Sequence, residues 1–168
     1  VAFGEVRPGD KVGELIPGGG YMTRILSKAV GPTGKVYVFA SQPVQREGQP
    51  PPAAPLAAVV GDAANYGNVQ VVITNYATLP SPEPLDLVWT SQNYHDLHNP
   101  GRNLDINAAN KAILNALKPG GLYIVLDHQS AKGTEFSADL HRIDEAKVKA
   151  EVLAAGFEFV GVVGIVVA

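Results

Sequence analysis

The stretch Lys11–Val30, KVGELIPGGGYMTRILSKAV, decides the fold, because it places a glycine-rich loop between a predicted strand and a predicted helix. Lys11–Pro17 is a short apolar run typical of a buried strand. Tyr21–Val30 carries apolar residues three and four positions apart, as on one face of a helix, and Gly31 and Pro32 end it. A strand, a tight glycine loop and a helix in this order predict the first unit of an α/β domain.

The same alternation continues along the rest of the chain. The proline-rich segment Gln42–Pro55 interrupts it and predicts an extended surface loop. Continuous apolar strands that alternate with helices predict a parallel sheet covered on both faces. We therefore expect an α/β fold with an open, doubly wound, mostly parallel sheet in three α/β/α layers, as a single domain over residues 1–168. The further predicted strands are Lys35–Ser41, Val69–Asn75, Leu85–Ser91, Leu122–His128 and Phe157–Val163, and the further predicted helices are Leu56–Tyr66, Asn103–Leu117 and Asp144–Ala155.

Composition limits the classes of function. Of the 168 residues, 46% are apolar and 17% are charged, which fits one globular domain. The net charge of −3 argues against a dedicated nucleic-acid binder, so no nucleic-acid partner is expected. The absence of cysteine excludes disulfides, thiolate zinc sites and iron–sulfur clusters. No apolar run reaches the roughly 18 residues of a membrane helix, so no membrane partner is expected.

The two ends of the chain bear on its location in the cell. The chain begins at Val1 without methionine and ends in the apolar segment Gly164–Ala168, so we expect both termini to be cropped. No signal peptide is in view. The location therefore stays open: cytoplasmic, or periplasmic if an export signal has been removed.

The glycine loop predicts a ligand at the carboxyl end of the first strand, where open α/β sheets bind theirs. A dinucleotide site would need a third glycine, but Met22 and Thr23 occupy that position, and no acid ends the second strand. A P-loop would need Gly-Lys-Ser/Thr, which is absent. Glu14 lies four residues before Gly18, and a carboxylate there suits a ligand with a cationic group, such as an amino-acid moiety.

Three segments together resemble a known family. Gly4–Ala40 (GEVRPGDKVGELIPGGGYMTRILSKAVGPTGKVYVFA), Leu85–Val88 and Leu117–Leu126 (LKPGGLYIVL) resemble the class I S-adenosylmethionine-dependent methyltransferases, over nearly the whole chain. The resemblance implies a Rossmann-like fold, S-adenosylmethionine as cofactor and methyl transfer to an unidentified acceptor, with a small molecule preferred. Within the superfamily, the segments Pro17–Tyr21, Gly61–Asn65, Tyr94–Asp96 and Leu140–Asp144 resemble a bacterial group of predicted methyltransferases.

The resemblance also implies a set of cofactor contacts. The chain departs from the family at Ile16, where a motif glycine is common, at Ala40 and Ser41, where an acid usually binds the ribose, and at Asn75, where an acid often contacts adenine. Ser41 or Gln42 would then supply a neutral hydrogen bond in place of the missing acid. The implied cofactor-binding residues are Glu14, Pro17, Gly18, Gly19, Gly20, Ser41, Asn75, Tyr76, Asn93 and Tyr94.

All four histidines lie near predicted carboxyl ends of strands or in the loops beyond them. In a first interpretation they line the acceptor pocket, with His95 as general base, His128 as second candidate and Asp96 or Asp127 as the orienting group. In a second, less favoured one they hold a metal ion, and in a third they are solvated. The preferred interpretation contains no metal. The metal alternative uses His95, Asp96, His98, His128 and His141.

Three functions compete at this point. The preferred one is an enzyme that transfers a methyl group. The alternatives are a methyltransferase-like binding domain without turnover and a dinucleotide oxidoreductase. An exposed edge at the predicted sixth strand, Phe157–Val163, would allow pairing between chains, so a homodimer is one option.

Overall fold

The computed structural model describes residues 4–41 and 56–162, which form one five-stranded parallel sheet and flanking helices. The predicted loop Gln42–Pro55 and the C-terminal segment from Val163 onward lie outside the described residues. Among the described residues, no helix has the length and apolarity to cross a bilayer. The strands are β1 (Lys11–Leu15), β2 (Lys35–Ala40), β3 (Val69–Ile73), β4 (Leu85–Ser91), β5 (Leu117–Leu126), β6 (Phe136–Ser137) and β7 (Arg142–Ile143), and the helices are α1 (Tyr21–Val30), α2 (Ala57–Val60), α3 (Ala63–Tyr66), α4 (Ile106–Ala116) and α5 (Glu145–Ala154).

The sheet has the strand order β3-β2-β1-β4-β5, and all its pairs are parallel. The chain moves outward from β1 to β3 and then crosses back to β4 on the other side of β1. The strand order therefore reverses between β1 and β4, and ligands of open α/β sheets bind beside the carboxyl ends of the strands at such a point. Glu14 on β1 lies there, in register with Val38 on β2 and Trp89 on β4.

Both faces of the sheet are covered, as continuous apolar strands predict. On one face, side chains such as Val36 and Trp89 pack with Leu26 and Val30 of α1. On the other face, Phe39 and other side chains pack with Ile113 of α4 and with residues of α5. The prediction of a doubly wound sheet in three layers is confirmed.

The predicted sixth strand is wrong over the residues that the structure describes. Residues 157–162 do not pair with the sheet, and β5 is its last described strand. An apolar run indicates that a segment is buried or favours the β conformation, but it does not specify a neighbouring strand. The apolar sequence of this segment therefore could not predict whether it pairs with the sheet. Phe157 instead packs its ring 5.5 Å from the ring of Tyr123 on β5.

Local chemistry accounts for the other differences. Residues 118–121, between the predicted helix Asn103–Leu117 and the predicted strand Leu122–His128, are part of β5, which starts at Leu117. The pairing of β5 with β4 shifts in register between Leu85 and Leu87. Helix α4 starts at Ile106 because the Asp105 side chain accepts a hydrogen bond from the Ala108 N–H and caps it. The predicted helix Leu56–Tyr66 is divided into α2 and α3, and the short hairpin of β6 and β7 was not predicted.

Candidate functional site

The loop between β1 and α1 exposes its backbone at two glycines. A Cβ atom added at Gly18 or Gly19 would meet no other atom within 4 Å, so both residues border open space. Gly20 has a φ of 75°, and a Cβ there would lie 3.0 Å from Val59 and 3.2 Å from Leu56. Gly20 is therefore needed for the turn and for packing against α2, whereas Gly18 and Gly19 let a ligand approach the backbone.

The first turn of α1 follows this loop directly. Among the described residues, no side chain caps the helix start at Gly20. Helix N-termini present free N–H groups and a positive dipole end, which favour anionic groups. The Arg24 side chain donates hydrogen bonds to the carbonyls of Gly19 and Gly20, both at 3.1 Å, and so fixes the shape of the loop.

Glu14 is a buried carboxylate at the carboxyl end of β1. Its side chain is only 3% exposed, and its Oε2 accepts a hydrogen bond of 2.5 Å from the Thr23 hydroxyl on α1. Burial raises the pKa of Glu14 from 4.5 to about 7, which the hydrogen bond from Thr23 only partly opposes. No lysine, arginine or histidine of the described residues pairs with Glu14. Its charged form is therefore left without a cationic partner.

Asn93 holds the start of the glycine loop in place. Its Nδ2 donates hydrogen bonds to the carbonyls of Leu15 at 3.3 Å and Ile16 at 2.8 Å, and its Oδ1 accepts one from the Thr90 hydroxyl. Asn93 is 7% exposed. The resemblance implies that Asn93 contacts the cofactor, which stays a prediction; in the structure its amide holds the carbonyls of the loop.

Ser41 and Asn75 lie exposed after the ends of β2 and β3, and Tyr76 lies buried beside them. The backbone N–H of Ser41 donates to the Tyr76 hydroxyl at 3.0 Å, and the guanidinium of Arg102 lies 5.5 Å from the centre of the Tyr76 ring. The Asn75 Oδ1 accepts the N–H groups of Ala77 and Thr78 and shapes the turn. The side chains of Ser41 and Asn75 are thus accessible to a ligand, whereas the buried Tyr76 holds the backbone of Ser41 through its hydroxyl.

Tyr94 lies in the core beside the site, and the cofactor contact that the resemblance implies for it stays a prediction. Its side chain is fully buried. Its hydroxyl donates to Glu151 at 3.0 Å and accepts a hydrogen bond from Asn110 at 2.9 Å, so Tyr94 joins α4 and α5 to the end of β4. The sequence does not distinguish this burial, because an aromatic residue after a strand fits both a ligand site and a core position.

The side chains of His95, Asp96, Asp127 and His141 form a cluster, the His95 cluster, beyond the ends of β4 and β5. His95 is 1% exposed, and its Nδ1 lies 2.8 and 3.0 Å from the two oxygens of Asp127. Its Nε2 lies 3.2 Å from the His141 Nδ1 and 3.6 Å from an Asp96 oxygen. Because Asp127 accepts the Nδ1 proton, the Nε2 of a neutral His95 faces the other two side chains as a lone-pair donor.

The other two histidines lie outside the His95 cluster. The His98 Nε2 contacts both oxygens of Glu151 at 2.9 Å, on the side of α5. Burial would raise the pKa of Glu151, but hydrogen bonds from His98, Lys147 and Tyr94 outweigh it and lower that pKa. His128 is exposed; its backbone N–H donates to Asp127 at 2.8 Å, and its carbonyl accepts the N–H of Ile143 at 3.0 Å.

Sequence reasoning brought His95, Asp96 and Asp127 to the same edge of the sheet, and the structure places them together. The metal alternative groups His141 with His95 and Asp96 although 46 residues separate His141 from His95, whereas the general-base interpretation gives His141 no role of its own. The roles of Thr23, Asn93 and Glu151 were also missed. The segment His95–His98 (HDLH) after β4 contains two histidines, and the sequence does not indicate which of the two side chains is buried.

The fold is similar to that of several solved structures. A SAM-dependent methyltransferase from Aquifex aeolicus is 21% identical, with a TM-score of 0.67 over 92% of this chain and 76% of that chain. The glycopeptide N-methyltransferase MtfA is 14% identical, with a TM-score of 0.66 over 95% of this chain and 78% of that chain. The 4+2 cyclase SpnF is 20% identical, with a TM-score of 0.66 over 92% of this chain, which spans only 53% of the cyclase.

Sequence comparisons give no corresponding likeness. No protein-family model matches the sequence, and the comparison with curated proteins gives no match. At these low identities, the structural likeness shows the fold, which is that of the class I S-adenosylmethionine-dependent methyltransferases. The resemblance to a bacterial group within that superfamily stays a prediction.

Proposed function

We propose that this chain binds S-adenosylmethionine and transfers its methyl group to a small-molecule acceptor. The observation that carries the proposal is Glu14, a buried carboxylate without a cationic partner, beside a glycine loop at the reversal point of a methyltransferase-like sheet. A ligand that brings an ammonium group to this edge of the sheet would supply the missing charge.

The residues of the edge fit such a cofactor. Glu14 suits the ammonium of its amino-acid moiety, and the free N–H groups at the start of α1 suit the carboxylate. Gly18 and Gly19 leave the backbone accessible. Ser41 and Asn75 would offer the ribose and adenine neutral hydrogen bonds in place of charged ones, so we expect weaker binding than an acid at the end of β2 would give. When bound, the cofactor supplies an electrophilic methyl group.

We propose that the His95 cluster faces the acceptor. Asp127 holds the ring of His95 in one orientation, and the exposed end of the cluster is formed by His141 and Asp96. An acceptor that carries a proton on its nucleophilic atom would release that proton at this end. His128, the second catalytic candidate from the sequence, is exposed after β5 and stays a prediction.

A binding domain without turnover is the second candidate. One observation favours it: Ser41 stands after β2 where the resemblance implies an acid that binds the ribose. Separately, a structurally similar protein, SpnF, is described as a cyclase. The fold therefore accommodates functions other than methyl transfer. The net charge of −3 supports a small molecule over a nucleic acid as partner, and a homodimer is left to measurement.

Isothermal titration with S-adenosylhomocysteine tests the proposal, with NAD as the control ligand because NAD has no amino-acid moiety. We expect micromolar binding of S-adenosylhomocysteine and none of NAD. Glu14→Gln retains an acceptor for the Thr23 hydroxyl but removes the charge, and we expect it to weaken binding tenfold or more. Glu158→Gln, at an exposed position, is the matched control and should leave affinity unchanged.

The possible outcomes of this titration test the role of Glu14, the identity of the cofactor and the presence of turnover separately. Equal affinities of the wild type and Glu14→Gln would refute the role of Glu14. Binding of neither ligand would refute the cofactor assignment. Binding without methylated product in a screen of acceptors would favour the domain without turnover.

A further inference from the structure

We propose that His95, Asp96 and His141 form a site for a divalent transition-metal ion, with Zn²⁺ the ion that its donor atoms suit best. The ligand atoms are the His95 Nε2, the His141 Nδ1 and one Asp96 carboxylate oxygen, and the three lie within 4.8 Å of one another. The site would hold its ion whether or not a methyl group is transferred beside it.

The spacing of the three atoms fits a zinc ion. The two nitrogens are 3.2 Å apart, the His95 Nε2 is 3.6 Å from the Asp96 oxygen, and the His141 Nδ1 is 4.0 Å from the same oxygen. A point in the plane of the three atoms therefore lies about 2.1 Å from each, which is the length of a Zn–N bond. Around a tetrahedral ion the ligand atoms are about 3.3 Å apart. The two nitrogens already have nearly this separation, and the two distances to the Asp96 oxygen, 3.6 and 4.0 Å, would have to shorten by roughly 0.3 and 0.7 Å.

The surrounding hydrogen bonds orient the ligands as they do around protein-bound metals. Asp127 accepts the Nδ1 proton of His95, which leaves the Nε2 lone pair directed at the other two ligand atoms. Asn99 donates a hydrogen bond of 2.9 Å to the Asp96 oxygen. A metal-bound histidine usually donates its other nitrogen proton to a carboxylate, and metal-bound carboxylates are themselves hydrogen-bonded.

Charge also favours a cation at this point. Two carboxylates, Asp96 and Asp127, flank a His95 ring that is only 1% exposed. Electron-rich atoms converge on the space between His95, Asp96 and His141, so either a proton or a metal ion is needed there to offset their mutual repulsion. Imidazole nitrogens with one carboxylate favour Zn²⁺ and similar ions over Mg²⁺ or Ca²⁺, which prefer oxygen ligands alone.

The geometry leaves a fourth position on the solvent side. The His141 side chain is 68% exposed and that of Asp96 is 26% exposed, whereas His95 closes the inner side. Three protein ligands with an open fourth position are typical of zinc sites that bind a water molecule or a substrate oxygen, whereas structural zinc sites have four protein ligands. We therefore expect the ion to be accessible and removable by a chelator.

Zinc titration of the untagged, chelator-treated chain tests this site, and tetrahedral Co²⁺ absorption provides a second readout. We expect one ion per chain. His141→Ala removes an exposed ligand with little effect on the fold and should weaken Zn²⁺ binding at least tenfold. Asp127→Asn should weaken it by roughly 10- to 100-fold through the orientation of His95. His128→Ala is the matched histidine control and should bind Zn²⁺ as the wild type does.

Two results would overturn the site: no stoichiometric ion in the wild type, or equal Zn²⁺ affinities of His141→Ala and the wild type. Circular dichroism of each variant separates loss of a ligand from loss of the fold. Because the titration contains no cofactor, its result is independent of S-adenosylhomocysteine binding.

Discussion

Ile16 is a strained residue in the glycine loop. Its φ of 50° lies in the left-handed region, which a β-branched side chain rarely adopts. Such a conformation costs on the order of 1–3 kcal/mol and persists only where the surroundings impose it. Here the amide of Asn93 holds the Ile16 carbonyl, and the side chain of Ile16 packs against the buried cluster that includes Leu15. At this position, where the family commonly has glycine, the backbone has a positive φ, which glycine adopts without strain.

We expect Ile16→Gly to be more stable than Ile16→Ala by about 1 kcal/mol. Both variants lose the same packing of Ile16, but only glycine adopts a positive φ without strain. At Ile25, inside α1, the order should reverse, because glycine in a helix costs about 1 kcal/mol relative to alanine. Urea unfolding of the four variants measures both differences. The same order at both positions would contradict the strain at Ile16.

The pKa of Glu14 makes stability depend on pH. In the folded chain it is raised to about 7 from 4.5, so the folded state holds the proton more tightly than the unfolded state does. The stability that Glu14 contributes is therefore present in full below pH 4.5 and is lost as the pH rises through 7. The shift corresponds to a loss of up to about 3 kcal/mol.

Comparison with Glu14→Gln isolates this effect. We expect the free energy of unfolding of the wild type to fall, relative to that of Glu14→Gln, as the pH is raised from 5 to 8 in ~1-unit steps. Glutamine does not titrate but preserves the contact with Thr23. Urea unfolding at each pH measures the difference, and a difference that does not vary with pH would refute the raised pKa.

At the scale of elements, Asn93 connects the end of β4 to the loop after β1. We expect Asn93→Ala to lower the free energy of unfolding by about 1–3 kcal/mol, because it leaves the buried carbonyls of Leu15 and Ile16 without their donor. It should also weaken S-adenosylhomocysteine binding, since the loop loses its support. Asn115→Ala, on the exposed side of α4, is the control and should change stability by less than about 0.5 kcal/mol. Equal effects at the two positions would contradict this role.

Elements with strong local patterns could be predicted from sequence. The bounds of α1 and β4 are those that the periodicity and the apolar run indicate. The segment Phe157–Val163 has an equally apolar pattern, yet residues 157–162 are not a strand. A strand requires a partner at the sheet edge, and that partner is not encoded within the segment itself. Local pattern therefore predicts the elements better than it predicts their pairing.

The candidate site shows the same limit. Topology alone predicts that residues after β4 and β5 meet, so the proximity of His95, Asp96 and Asp127 was predictable. Which side chain of the turn His95–His98 faces inward depends on a single 3₁₀ turn, in which His95 contacts Asp127 while His98 contacts Glu151. The approach of His141 depends on the hairpin of β6 and β7, which no sequence pattern indicated.

At the scale of the whole molecule, the sheet separates two apolar cores. Val30 belongs to the core between the sheet and α1, and Ile113 belongs to the core between the sheet and α4. Both side chains are almost fully buried. The sheet lies between the two side chains, so they share no packing neighbours. A cavity made at one of them therefore does not change the packing around the other.

We therefore expect the effects of Val30→Ala and Ile113→Val to add. Each variant should lower the free energy of unfolding by about 1–2 kcal/mol through lost burial and a small cavity. The double variant should lose the sum within about 0.5 kcal/mol, as independent sites do. As a matched control for coupling, Val30→Ala combined with Leu26→Val places both changes in the same core, where contacting residues typically couple by about 0.5 kcal/mol or more. Urea unfolding of single and double variants measures both cycles, and coupling across the sheet as large as that within one core would contradict the independence of the two cores.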